Sequence, residues 1–173
     1  MIIGCRDIER GQDAAEEINI QVVNNGKVHF KQLDLASFDS IKKFANEINE
    51  EENSIDILIN NAGVLFTKKE DKTKDGFEMT FGVNYLGHFL LTFLLLDKLR
   101  HSKSSTARII NVTSLLYAIS SIQFDDINLV KNFNSIKAYG QSKLALNLFT
   151  REVAKRLRGS HVRVYCVHPG KSL

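Results

Sequence analysis

Two side chains four residues apart pose the first chemical question. In Tyr139-Gly140-Gln141-Ser142-Lys143, helical spacing puts the Tyr139 phenol and the Lys143 ammonium on one face. A phenol has a reference pKa of about 10 and is a poor proton donor or acceptor near neutrality. A fixed cation beside it favours the phenolate and brings the group toward a useful range. Such pairs also occur by chance on solvent-facing helices, so the spacing gains force only from what accompanies it. Thr113-Ser114 follows an apolar, strand-like run, where a hydroxyl can project into a crevice or simply cap a turn. Asn60-Asn61-Ala62-Gly63 follows another such run. Small residues there let a flat ligand approach the backbone, and Asn can fix the turn; an ordinary loop would read the same way.

Those residues must be positioned by something, and the rest of the chain supplies it. Of 173 residues, 43% are hydrophobic and 25% charged, enough for one globular domain with a sizeable core. The balance of 23 basic and 20 acidic residues gives +3. Basic residues are scattered without interleaved aromatics, which argues against nucleic acid as a partner. Short β-branched runs recur at Met1–Cys5, Val28–Leu33, Ile55–Ile59, Arg108–Val112 and Val162–Val167. Their near-continuous apolarity predicts parallel strands covered on both faces. Between them run helices: one after Asp7 to about Asn24, where Asn24-Asn25-Gly26 is a stop signal, and one capped by Ser37 or Asp39 with Ile41, Phe44, Ala45 and Ile48 inward. A long helix is expected over Phe77–Lys103 and another over Ser135–Arg158. The alternation predicts an α/β fold, a doubly wound parallel sheet, whose ligands bind beyond the carboxyl ends of the strands.

Several other readings are narrower. Cys5 and Cys166 sit in strand-like segments and are expected as reduced thiols. No metal-binding spacing is present, so no metal site is expected. The apolar run Tyr85–Leu96 is too short for a bilayer span and reads as a buried helix, with His88 as a packing histidine. Asn111-Val112-Thr113 matches a glycosylation acceptor but falls within a strand. With no secretory leader, a cytoplasmic location is expected.

The motifs also occur in a telling order. Asn60-Asn61-Ala62-Gly63, Asn84 within Val83-Asn84-Tyr85-Leu86-Gly87-His88-Phe89, Ser114, Tyr139 with Lys143, and Pro169-Gly170 together resemble the short-chain dehydrogenase/reductase family. Cys5-Arg6-Asp7, Gly76-Phe77-Glu78 and Val167-His168-Pro169-Gly170 resemble its retinol-dehydrogenase-like branch. The resemblance covers essentially the whole chain and implies a Rossmann-like oxidoreductase acting on a lipophilic carbonyl or alcohol, retinoid- or steroid-like. It implies Tyr139 as general acid/base and Lys143 as the group that lowers its pKa and holds the nicotinamide ribose. Ser114 would orient the substrate oxygen, and Asn84 would hold a helix distortion and a water that connects Lys143 to solvent. Asn61, Ala62 and Gly63 would line the adenosine side, Asp34 and Leu35 would contact adenine, and Pro169 and Gly170 would face the nicotinamide. Arg6 falls where such folds read the adenosine ribose and favours NADP over NAD, although Asp7 beside it is either a competing acid or a helix cap.

The resemblance also implies departures at both ends: the substrate-pocket elements and last strand that follow Pro169-Gly170 in the family are expected beyond Leu173. The family's opening strand, Gly-rich turn and first helix have no counterpart in the sequence, and the pattern starts at its second strand. The expectation is therefore an incomplete single domain over residues 1–173 that holds cofactor poorly. Family members dimerise through two long helices, which correspond to Phe77–Lys103 and Ser135–Arg158. A catalytically inactive, dimerising interaction protein is the alternative function. Some relatives are tethered to the endoplasmic reticulum by an upstream anchor, the alternative to a cytoplasmic location.

Overall fold

The computed structural model describes residues 1–22 and 26–170. Strand β1 (Ile2–Cys5) leads into helix α1 (Ile8–Gln21), whose first turn is capped by the Asp7 carboxylate accepting from the Arg10 amide at 3.1 Å. The helix closes at Val22; Asn24 and Asn25, read as its stop, lie outside the described residues. Strand β2 (His29–Gln32) precedes α2 (Phe38–Glu51), capped by Ser37 rather than Asp39. Ile41, Phe44, Ala45 and Ile48 all face inward from α2, as their spacing requires.

The chain then forms β3 (Ile57–Asn60) and enters the segment where the sequence predicts one helix over Phe77–Lys103. It is not one helix. Glu78, fully buried, accepts from the amides of Thr80 and Phe81 and starts α3 at Met79–Phe81. A π-helix follows over Gly82–Gly87, then α4 (His88–Leu94) and α5 (Leu96–Arg100). Glycine at 87 has a steric reason: a Cβ there would lie 2.8 Å from the Leu35 carbonyl oxygen. Strand β4 (Ala107–Val112), two short 3₁₀ turns at Leu115–Ile119 and Phe124–Asp126, the long α6 (Ser135–Arg156) and β5 (Val162–Val167) complete the fold.

All strand pairings are parallel, but they form two sheets among the described residues: β1 with β2, and β3-β4-β5. The free edges of β1 and β3 are not hydrogen-bonded to each other. This is the α/β Rossmann-like arrangement expected, with the two halves held by packing and by hydrogen bonds from the Phe38 amide to Asp75, from the Lys74 amide to the Ala36 carbonyl and from Asn49 to the Leu94 carbonyl, instead of a continuous ladder. One core gathers α2, α4 and the Leu35–Ala36 loop; a second gathers α5, α6 and the inner face of β4 and β5. Ile55 and Leu58 pack against both.

The expectation that every strand is covered on both faces is corrected. Register places Ile59, Ile110 and Tyr165 side by side on one face of the three-stranded sheet. On that face Ile57 and Ile59 are 49% and 59% exposed, and Tyr165 is also exposed. A continuous apolar run shows only that each face tolerates burial; it does not show what covers it.

A polar ladder crosses the inner face of this sheet. Asn60 Nδ2 donates to Asn111 Oδ1 at 2.8 Å and to Thr92 Oγ1 at 3.0 Å, and Asn111 Nδ2 donates to Thr150 Oγ1 at 2.9 Å. All four residues are buried, so β3, β4, α4 and α6 are tied by bonds that water cannot replace. Asn111 is therefore a structural residue, inaccessible as a glycan acceptor. Replacing Asn111 by Ala leaves Asn60 and Thr150 short of partners, and urea unfolding should show a loss of roughly 2–4 kcal/mol.

Candidate active site

The sequence Tyr139–Lys143 gives each residue of one helical turn a separate task. Lys143 is buried, and its Nζ donates to the Val112 carbonyl at the end of β4 at 2.8 Å. The same Nζ lies 5.5 Å from the centroid of the Tyr139 ring, confirming that the two share a face. Ser142 Oγ donates to the Tyr139 carbonyl at 2.7 Å and accepts from Asn84 Nδ2 at 3.1 Å. Gln141, fully buried, accepts from the Gln123 amide and donates to the Ile127 carbonyl. Gly140 admits the loop after β4: a Cβ there would lie 2.0 Å from Ser120 Oγ. The 3₁₀ turn that follows Ser114 is thereby seated on α6.

Ser114 is half-buried just beyond β4, two residues past the carbonyl that Lys143 grips. Its Oγ accepts weakly from the Leu116 amide at 3.4 Å, so it caps the turn while its own proton remains uncommitted. Next to it, Thr113 is held to α6 by Asn147 Nδ2 at 2.7 Å. Among the described residues the Tyr139 hydroxyl has no hydrogen-bond partner, so both hydroxyls are free for a ligand.

Asn84 sits inside the π-helix and is fully buried. Its Oδ1 accepts from the Val64 amide at 2.8 Å and its Nδ2 donates to the Val64 carbonyl at 3.0 Å, a two-point clamp on the loop after β3. That clamp presses Gly63 against the catalytic candidates: a Cβ on Gly63 would lie 3.3 Å from Asn84 Oδ1 and 3.7 Å from Lys143 Nζ. Asn84, Lys143, Tyr139 and the Asn60–Gly63 loop thus form one contiguous assembly.

Beside it, between the free edges of β1 and β3, lies a cavity of about 470 Å³ at the carboxyl ends of three strands. Its lining includes six positions singled out from sequence: Arg6, Asp34, Leu35, Asn61, Ala62 and Gly63. Asp7 caps α1 through the Arg10 amide and lies 3.8 Å from the Arg10 guanidinium. Arg6 is exposed and forms no ion pair among the described residues. Asp34 Oδ1 accepts from the Ala36 amide, while Oδ2 faces Lys74 at 3.7 Å. Asn60 also lines the cavity, and its buried Oδ1 has no partner. The Arg6 guanidinium, unpaired among the described residues, and the small residues Ala62 and Gly63 in the same lining fit the polar end of a dinucleotide. Pro169 and Gly170 behave differently: they are exposed beyond β5, outside the cavity lining, with the Gly170 amide donating to His168 Nδ1 at 3.0 Å.

Burial pushes the Lys143 ammonium below the ordinary lysine value, partly offset by the nearby Cys166 thiol. Cys5 and Cys166 are free thiols. No group of His, Cys, Asp or Glu able to hold a metal occurs among the described residues, and no described helix is long and apolar enough to cross a membrane. Gln141, Asn147, Thr92 and Thr150 escaped sequence reasoning. Their only signal was polar residues at inward positions of otherwise apolar helices.

Parallel strands, crossover helices and a cleft at the strands' carboxyl ends define a Rossmann-like α/β protein. The short chain dehydrogenase profile matches residues 2–172. The chain is 52% identical to human retinol dehydrogenase 13 over 171 residues, covering 98% of this chain and 50% of that protein. It is 49% identical to mouse retinol dehydrogenase 12, covering 97% and 52%. Among solved structures, an uncharacterized Mycobacterium paratuberculosis protein superposes with a TM-score of 0.83 at 38% identity, covering 99% of this chain and 59% of that one. A Pseudomonas aeruginosa RhlG/NADP active-site complex superposes with a TM-score of 0.76 at 30% identity, covering 99% and 62%. The chain belongs to the short-chain dehydrogenase family and is similar to its retinol dehydrogenases, spanning about half the length of those it matches.

His88 adds a pH signature. Burial, with the Lys143 charge nearby, lowers its pKa from 6.5 to about 4, so the folded state holds the ring neutral. The unfolded chain binds the extra proton first. This stabilisation is complete above about pH 6.5 and fades as pH falls toward 4. The shift corresponds to about 3 kcal/mol. Urea midpoints from pH 7.5 to 4 should show this slope, reduced when His88 is replaced by Asn.

Proposed function

We propose that this chain is the proton-transferring and adenosine-binding part of an NADP-dependent oxidoreductase acting on a lipophilic carbonyl or alcohol. The observation that carries the reading is the buried Lys143 ammonium, fixed by the Val112 carbonyl and facing the free Tyr139 phenol beside the cavity. The retinol dehydrogenase names of its relatives support a retinoid or similar substrate.

The nicotinamide cofactor, when bound, supplies or accepts the hydride. Everything else falls to the protein. In reduction, the Tyr139 hydroxyl donates a proton to the carbonyl oxygen; in oxidation, the phenolate accepts one from the alcohol. Lys143 favours the phenolate by its charge. Ser114 donates to the same substrate oxygen and stabilises negative charge that develops there. Asn84 keeps Gly63 close to Lys143, and its π-turn carries the route by which the lysine exchanges protons with solvent. Arg6 would hold the 2′-phosphate that distinguishes NADP from NAD, and Asn61, Ala62 and Gly63 would line the adenosine.

Replacing Tyr139 by Phe should lower kcat/KM by roughly 10²–10⁴ while leaving NADPH binding intact. Fluorescence titration should show NADPH preferred over NADH, with the preference lost in Arg6→Asp. If the chain binds neither nucleotide, catalysis by this chain is ruled out.

The alternative, a dimerising interaction protein without turnover, is favoured by one observation. Phe93 and Leu148, 46% and 44% exposed, flank a cluster in which the Phe89 and Phe149 rings lie 5.3 Å apart across α4 and α6. This is an apolar stripe at the junction of the two helices expected to pair. Sedimentation should show dimers that dissociate in Leu148→Glu; a monomer at all concentrations sinks that reading.

A further inference from the structure

His88 is a polar ring buried at the start of an otherwise apolar helix, 3% exposed and lining the cavity with Val83 and Leu91. Burying an imidazole is costly unless its hydrogen bonds do something apolar residues cannot. Its Nδ1 lies 3.1 Å from the Asn84 main-chain carbonyl. A carbonyl only accepts, so Nδ1 carries the proton and Nε2 is bare. Nε2 has no hydrogen-bond partner among the described residues, where the bond to Asn84 is the ring's one polar contact.

That bond falls in an unstable place. A π-helix spreads one extra residue through the helical ladder and has poorer bonding than the α-form. Relaxation to α-helix would turn Asn84 by about 100° relative to its surroundings. Its side chain would then leave Val64 and Ser142, and Gly63 would no longer be held against Lys143.

We infer that His88 is a positioning residue: by holding the Asn84 carbonyl through Nδ1, it keeps the π-turn in register and so keeps Asn84 clamped on Val64 beside Lys143. This rests on the proposal that Tyr139 and Lys143 transfer the proton, but its structural core is testable without turnover. The low pKa of the ring is consistent, since a neutral tautomer must persist across the physiological range.

The Val64 amide, held by Asn84 Oδ1, reports directly on the clamp. In the ¹⁵N-labelled 173-residue chain, imidazole nitrogen shifts at pH 7 should show His88 protonated at Nδ1 alone. Amide exchange of Val64, normalised to Ile109 to remove global stability, should accelerate at least tenfold in His88→Leu. In His88→Asn, whose amide reproduces the Nδ1 donor, it should stay near the wild-type rate. A proton on Nε2, or equal Val64 exchange in wild type and His88→Leu, overturns the inference. Where the wild type turns over, His88→Leu should lower kcat with KM little changed, and His88→Asn should restore it; loss in both variants alike overturns the positioning role. Absence of hydride transfer in the wild type defeats the oxidoreductase reading alone, because the nitrogen shifts and Val64 exchange still decide the role of His88.

Discussion

A buried ammonium that meets no carboxylate among the described residues constrains this molecule. Lys143 has left water and is answered by a main-chain carbonyl at the end of β4 and by the face of the Tyr139 ring. Neutral acceptors compensate a buried cation only if they are held in place. Much of the local architecture supplies that rigidity. Thr113 is tied to α6 by Asn147, Gly140 lets the loop after β4 lie down on the helix, and Gln141 bonds two points further along that loop. The residues that would handle protons sit on well-braced elements, and the free hydroxyls of Ser114 and Tyr139 sit at their margin.

The second organising device is the asparagine side chain used as a two-headed connector. Asn60 and Asn111 join neighbouring strands to two different helices, and Asn84 joins a π-turn to the loop after β3 and to α6. An amide offers donors and acceptors at fixed separation, so it can bridge elements whose backbones already satisfy themselves. Asn60 shows the limit: with its donors spent on Thr92 and Asn111, its Oδ1 stays buried and unmatched.

The sequence made the strands legible to within one or two residues, because short β-branched runs between helical periods leave few alternatives. Six of the residues expected to touch the adenosine end do line one cavity, since strand carboxyl ends are where this topology opens. Other features were hidden for identifiable reasons. The run from Phe77 looked like one helix because its apolar spacing barely changes where the ladder widens at Gly82–Gly87. Ile57 and Ile59 looked buried because hydrophobicity cannot name the element that would cover them. Asp7 was ambiguous in sequence and is resolved by its bond to the Arg10 amide. Pro169 and Gly170 follow β5 as expected and do not line the cavity that gathers the adenosine-side positions.

The absence of hydrogen bonds between β1 and β3 has a thermodynamic corollary. Both walls of the cleft belong to segments joined by packing and a few hydrogen bonds, such as the Lys74 amide to the Ala36 carbonyl, and not by a strand ladder, so a molecule that touches Arg6 on one wall and Gly63 on the other spans a seam in the native structure. Its occupancy and the chain's resistance to denaturation become one linked equilibrium. At a hundredfold excess over its dissociation constant it would add about 2.7 kcal/mol to the unfolding free energy. For this protein, the melting temperature is therefore a calorimetric gauge of whatever bridges the seam.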